Sequence, residues 1–402
     1  MALASEIDLP HLPVDDPAFR ADPFAAVEEA RKKHPWLATT DYGLMIHGYQ
    51  AIKDIVYQDD KMHPSFDGLV EYYGVQGTPW AKFQVEQILG HSGEKHQRIR
   101  KSVGDAFTPR NVNRYIDVMR KVATDLLDIW APKAKCDFAE FASNYPIAVL
   151  CAVMGTSTEE IPSIKRALEI QTALLSMDHA IVPELVAGYD ILYNYSDKVV
   201  REREAKGPND GDLLDQLIAA RDAGQIDQTE LLYLLMILFP AGYDTSKNML
   251  TLTMWQMLKT PEHWVKCAES LDYAHKITEE MFRYCSTATQ FRLTDEDVDY
   301  DGVTIPRGST LIFANNVAGR DRNAIEDADM FDPERVHKQR HISFGRGSHI
   351  CLGQHLAKMQ IGEGLHLMAQ RIRNPRLSGE VTWRPFMGVW GLETLPIEFD
   401  PA

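Results

Sequence analysis

Hydrophobic positions along this chain recur mostly at the i, i+3, i+4, i+7 spacing of one helix face. That spacing predicts helices over residues 111–130, 212–221, 229–258 and 276–284. The third is the longest. Asp227 with Glu230 forms a capping-box pattern, with Asp in the usual Ser or Thr place. Thr260-Pro261 marks its stop and a cap for the next helix. At 1.5 Å per residue, about 30 residues reach roughly 45 Å, enough to cross a whole domain. Alternating, strand-like patterns are fewer and lie toward the two ends. Residues 297–300 and 303–305, joined by Asp301-Gly302, read as a hairpin with a primed turn. Residues 42–46, 310–314 and parts of 381–399 supply further strands. The pattern is mainly α with a minor β part. No linker, repeat or low-complexity segment interrupts it, so one domain over residues 1–402 is expected.

Composition narrows the function. The chain has 402 residues, 45% hydrophobic and 25% charged, which is ordinary for a globular protein. Its 42 Lys and Arg against 58 Asp and Glu give a net charge of −16, a poor match for nucleic acid or an anionic membrane surface. The first residues carry no basic, apolar leader pattern, and the longest nearly apolar run, 231–242, is short of a membrane span. A cytoplasmic protein is expected. The five cysteines are scattered, with no CxxC pair, which argues against a disulfide framework or a structural zinc site.

The stretch Phe344-Gly345-Arg346-Gly347-Ser348-His349-Ile350-Cys351-Leu352-Gly353 carries the strongest chemistry. Its first two glycines let the backbone turn tightly and approach a flat ligand. A helical pattern follows, with Leu352, Leu356 and Met359 on one face. Cys351 therefore opens a helix, where free N–H groups and the positive dipole end favour thiolate over thiol. An iron ligand must be the thiolate. The plainer reading, a buried structural cysteine, suits Cys136, Cys151, Cys267 and Cys285, but not the ten-residue pattern around Cys351. That pattern closely resembles the haem-binding loop of the cytochrome P450 superfamily.

Other motifs carry the resemblance over residues 96–360. Ala241-Gly242-Tyr243-Asp244-Thr245, inside the longest predicted helix, is similar to the family's oxygen-activating stretch. Cleaving the O–O bond takes two protons. The Thr245 hydroxyl can pass one on, and Asp244 can relay protons from water. Gly242 lets a flat macrocycle lie against the helix, and Pro240 should kink it. The bland alternative is a buried helix in which Thr245 bonds a backbone carbonyl. Glu280 and Arg283, at i, i+3, together with Arg335 match the family's buried ion-pair network. His96, Arg100, Arg292 and His349 match its haem-propionate positions, while Arg98 reads as a surface charge. Gln360 and Gly319 depart from the residues common in relatives.

The resemblance implies the P450 fold, with its long central helix across haem b. Cys351 would be the metal ligand. Phe344, Gly242 and Gly353 would border the cofactor, and Asp244 and Thr245 would be the catalytic pair. It also implies insertion of one oxygen atom of O2 into a hydrophobic small molecule, terpenoid, aromatic or steroid-like. The chain has no GxGxxG fingerprint. Electrons would therefore come from outside, and the resemblance to bacterial members of the family implies NAD(P)H feeding a separate [2Fe-2S] ferredoxin and its reductase. Lys95, Arg98, Lys101, Arg346 and Lys358 are the candidate docking charges. The substrate pocket would draw on residues 62–89, 170–186, 238–245, 287–291 and 389–392, with Leu238, Ala241, Thr287, Ala288, Val389 and Trp390 in its wall. A peroxide-using or non-oxygenating enzyme of the same fold, or a haem-based ligand binder, is the alternative.

Overall fold

The computed structural model describes residues 1–209 and 211–401. The helices that frame the site are α1 (Gly93–Gly104), α2 (Ile116–Trp130), α3 (Phe138–Met154), α4 (Ile161–Thr172), α5 (Val182–Lys206), α6 (Leu213–Asp222), α7 (Gln228–Lys259), α8 (Leu271–Tyr284) and α9 (Gln354–Arg371). The strands around it are β1 (Leu37–Thr40), β2 (Gly43–Ile46), β3 (Met62–Pro64), β4 (Gln290–Thr294), β5 (Val298–Tyr300), β6 (Val303–Ile305), β7 (Thr310–Phe313), β8 (Thr382–Trp383) and β9 (Leu392–Thr394). The mainly α expectation with a minor β part holds.

Helix α7 is the axis of the molecule. Its 32 residues span about 48 Å at the standard rise. The capping box is present: Asp227 accepts from the Glu230 N–H at 2.8 Å, and Glu230 accepts from the Asp227 N–H at 3.0 Å. The helix is continuous through Pro240. Thr260 ends it, but its hydroxyl donates back to the Gln256 carbonyl at 3.0 Å, so it does not cap the next helix as expected. Leu231–Met236, Phe239 and Tyr243 are buried on several faces of α7. A helix apolar on several faces belongs inside the protein. It packs along α3, itself almost wholly buried.

The five-stranded sheet runs β1-β2-β7-β4-β3. Strand β3 pairs antiparallel with β4, placing Pro64 opposite Arg292, and β4 pairs antiparallel with β7. This edge brings the 56–64 segment beside Arg292. The β5–β6 hairpin forms as expected, with Asp301 and Gly302 both at positive φ (45° and 82°), the geometry of a primed turn. No helix among the described residues is long and apolar enough to cross a membrane.

Gly319 shows why one departure from the resemblance arises. A Cβ there would sit 1.8 Å from the Arg283 carbonyl oxygen, and the Gly319 carbonyl accepts from Arg283 Nη1 at 2.7 Å. No side chain fits at that approach.

Candidate active site

Helix α8 supports the cysteine loop through buried charge. Glu280 is fully buried, and Arg283 is 2% exposed. Arg283 grips the carboxylate with Nε at 2.8 Å and Nη2 at 2.6 Å. Its remaining donors reach the carbonyls of Gly319, Ala328 and Met330 at 2.7–2.8 Å. Arg335 approaches Glu280 at 3.5 Å and donates to the Glu326 and Asp327 carbonyls. The three residues thus meet as expected, and Arg283 uses its whole fork, while Arg335 Nε faces Glu280 without a hydrogen bond. The same helix touches the loop directly. The Phe282 carbonyl accepts from Ser343, and the Phe282 and Phe344 rings lie 4.5 Å apart.

One support on α8 is not visible in the sequence motifs. Glu279, next to the buried ion pair, binds His341 at 3.2 Å and Lys358 at 2.6 Å, tying α8 to both ends of the cysteine loop. Burial alone would push the Glu279 carboxyl up. The His341 hydrogen bond and the Lys358 ammonium outweigh it and bring the carboxyl down to about 2. A depressed carboxyl stabilises the fold above its unfolded pKa, and that contribution is lost as pH falls through the folded value. Glu279→Gln should therefore flatten the acid limb of the stability curve between about pH 4.5 and 2, read by circular dichroism against pH. An unchanged limb would contradict the tie.

The loop itself turns on Gly345 and Gly347, at φ 68° and 71°, where only glycine is comfortable. The Cys351 N–H donates to the Phe344 carbonyl at 2.9 Å and closes the turn. Cys351 stands two residues ahead of Gly353, the N-cap of α9, rather than inside the first turn. Its surface opens into a cavity, while protein surrounds it. The expected drop in thiol pKa is not seen. Scarcity of water raises it, and the Gly353 N–H and Arg100 only partly offset that. The loop lowers the cost of the thiolate but does not create one unaided.

That cavity measures about 280 Å³. Leu238, Ala241, Gly242, Thr245 and Ser246 of α7 line it, as do Thr287 and Ala288 and, from the loop side, Phe344, His349, Cys351, Gly353 and Leu356. Ile88 and Leu89, from the 62–89 segment expected to line the pocket, complete its apolar walls together with Phe107 and Leu150. Gln360 bridges two walls, its amide donating to Ser246 Oγ at 2.7 Å. Two expected wall residues lie elsewhere. Trp390 is buried in the core, stacked on Trp383 at 5.3 Å, and its indole donates to the Arg20 carbonyl. Val389 bridges Ala288 through the backbone and stays outside the wall. Trp80, Leu174 and Leu185 pack together as a separate apolar cluster. The glycine at 242 has another use as well. A Cβ there would meet the Leu150 side chain at 3.2 Å, so Gly242 lets α3 close against α7.

Thr245 and Asp244 face different ways. The Thr245 hydroxyl donates to the Ala241 carbonyl at 2.7 Å and lines the cavity. The backbone bond foreseen as the bland alternative is therefore present, and it leaves the hydroxyl oxygen able to accept. Asp244 is fully buried and turned away, with Oδ1 accepting from Arg384 Nη1 at 2.6 Å and from Asn248 Nδ2 at 3.2 Å. Its Oδ2 has no hydrogen-bond partner among the described residues. Arg384 comes from the β8–β9 region, far along the chain, and no motif predicted it.

One end of the cavity is polar. His96, Arg100 and His349 line it, with Arg292 behind them. His96 and His349 rings lie 4.1 Å apart. Burial lowers His96 to about 4 and His349 to about 3, aided by Arg100 in the first case and Arg292 in the second. His96 Nδ1 and His349 Nε2 find no hydrogen-bond partner among the described residues. Arg292 is likewise lowered by burial, to about 10. A buried arginine, a half-buried one and unpartnered ring nitrogens around an otherwise apolar slot fit a flat apolar group with carboxylates on one edge. Arg98 lies outside this set and is no idle surface charge. It holds Glu230 at 2.5 Å, fastening α1 to the start of α7.

Comparison with known proteins gives the family. A cytochrome P450 family model matches residues 183–375. The luteothin monooxygenase of Streptomyces thioluteus is 33% identical over 98% of this chain and 97% of its own length. The chain belongs to the cytochrome P450 family. The biotin biosynthesis cytochrome P450 of Bacillus subtilis is 28% identical over 79% of this P450 and 81% of its own length. Among solved structures, the P450 enzyme CxnD for C–S bond formation in chuangxinmycin biosynthesis superposes with TM-score 0.85 at 27% identity, covering 98% of this chain and 99% of that one. An acyl-carrier-protein complex of P450BioI reaches TM-score 0.87 at 24% identity, over 95% and 100%. Membership makes this P450 a monooxygenase that uses haem and O2, with electrons reaching it through redox partners.

Proposed function

We propose that this P450 is a single 402-residue domain holding haem b with Cys351 as the iron's ligand and His96, Arg100, Arg292 and His349 around the propionates. The observation that carries this reading is the convergence of Cys351, Thr245 and a buried cationic end on one apolar cavity. When bound, the haem supplies reductive activation of O2. The chain supplies the rest. Its apolar walls exclude water and hold an apolar substrate near Ala241, Thr287 and Ala288. Thr245 keeps a hydroxyl oxygen turned into the cavity. Asp244 stores a carboxylate one residue away, held by Arg384, and must leave that grip to hand protons inward.

The substrate is a hydrophobic small molecule, with terpenoid, aromatic and steroid-like frameworks as the classes to screen. Electrons come from a [2Fe-2S] ferredoxin. With Arg98 engaged by Glu230 and Lys358 by Glu279, the docking charges reduce to Lys95, Lys101 and Arg346. The luteothin monooxygenase name keeps oxygen insertion ahead of the peroxide-using, non-oxygenating and ligand-binding alternatives. The test is a panel of hydrophobic compounds incubated with NAD(P)H, a [2Fe-2S] ferredoxin and its reductase. Hydroxylated product carrying label from 18O2 is expected. Tight binding across the panel with no product under any condition would overturn the monooxygenase role in favour of a binder.

A further inference from the structure

Asp59 stands beside the cationic end of the cavity and has no part in the reading above. It lies in the segment between residue 56 and β3, and the β3–β4 pairing sets that segment next to Arg292. Ser348, three residues before Cys351, donates its hydroxyl to Asp59 Oδ2 at 2.6 Å. A Cβ on Gly347 would stand 3.6 Å from the same oxygen. The carboxylate is thus pressed onto the cysteine loop. Its field acts on both Arg292 and His96.

Charge counting gives the residue a role. Arg100 and Arg292 are the two arginines at this end of the cavity. Two arginines balance two propionates. Asp59 is a third carboxylate beside them. We propose that Asp59 is a built-in counter-carboxylate: it balances Arg292 while the propionates are absent, and beside bound haem it loosens the cofactor and lowers its reduction potential. This inference rests on the haem reading. The sign follows from Coulomb's law, since a fixed negative charge repels the propionates and disfavours adding an electron to the iron. The Ser348 hydroxyl aims that charge.

The test uses the haem-loaded full chain. Haem loss is followed by transfer to excess apomyoglobin, and the iron(III)/iron(II) midpoint by redox titration. Asp59→Asn should slow haem loss by roughly fivefold, the size expected of one partly screened charge, and shift the midpoint positive. Asp59→Ser, a second neutral variant, should move both readings the same way. Asp59→Glu, which keeps the charge, should stay near wild type. Ser348→Ala removes the hydrogen bond but leaves the carboxylate, and should reproduce neither full effect. Haem loss that is unchanged or faster in both neutral variants overturns the proposal, as does an unmoved midpoint. So does Ser348→Ala matching Asp59→Asn in both readings, which would reduce Asp59 to a loop anchor. A wild type that takes up no thiolate-ligated haem overturns the underlying reading instead.

Discussion

Glu280→Ala should abolish recovery of a haem-loaded protein. The substitution leaves the Arg283 guanidinium, 2% exposed, without its counter-ion and strips Arg335 and the Asp332 N–H of a shared acceptor. Breaking a buried pair by removing one partner costs about 3–5 kcal/mol, a large share of the roughly 5–15 kcal/mol that holds a domain folded. The damage is local to the cofactor's support. Helix α8 carries the Phe282 contacts to Phe344 and Ser343, so a loosened helix releases the cysteine loop. Absorbance in the Soret region relative to 280 nm, with thermal unfolding of whatever is recovered, reads the outcome. A Glu280→Ala protein with full haem content and wild-type melting would contradict the assigned role. Glu280→Gln keeps one accepting oxygen for Arg283 and the Asp332 N–H and should be milder.

Replacing the acid and the alcohol should slow catalysis without unfolding the protein, and the two variants should differ in kind. Positioned proton transfer contributes about 10²–10⁴-fold in rate. Asp244→Asn removes the only ionisable group next to Thr245 that α7 offers and should lower turnover by about 10²-fold, with substrate affinity kept because Asp244 does not line the cavity. Thr245→Ala removes a cavity hydroxyl but no charge. Electrons still arrive, so NAD(P)H oxidation should persist while the fraction emerging as oxygenated product falls and hydrogen peroxide rises. Product formed per NAD(P)H consumed, measured together with peroxide, separates the two. Wild-type turnover in Asp244→Asn would exclude the relay, and unchanged coupling in Thr245→Ala would exclude the hydroxyl.

Much of this molecule was legible from local pattern. The capping box at Asp227, the primed turn at Asp301-Gly302 and the long apolar helix are written in residues a few positions apart, so spacing alone exposes them. The cysteine loop and the Glu280–Arg283 pair were legible for the same reason. What escaped the sequence depends on contacts between distant segments. Arg384 reaches Asp244 across 140 positions, and Asp59 meets Ser348 across 289. Neither pairing leaves a periodic trace. Trp390 was misplaced because a large aromatic near a pocket strand serves core and ligand equally well. Its indole bond to the Arg20 carbonyl settles it as core. At Cys351 the helix-end argument saw one side of a balance: the Gly353 N–H lowers the thiol pKa, while the surrounding protein raises it.

The account stands on the bond between the Cys351 sulfur and haem iron, and the carbon-monoxide difference spectrum of the reduced protein reads it directly. The wild type should show the red-shifted Soret band of a thiolate-ligated haem, and Cys351→His should lose that band while the fold is kept. No such band in a haem-containing wild type, or the same band after the sulfur is replaced, would contradict it.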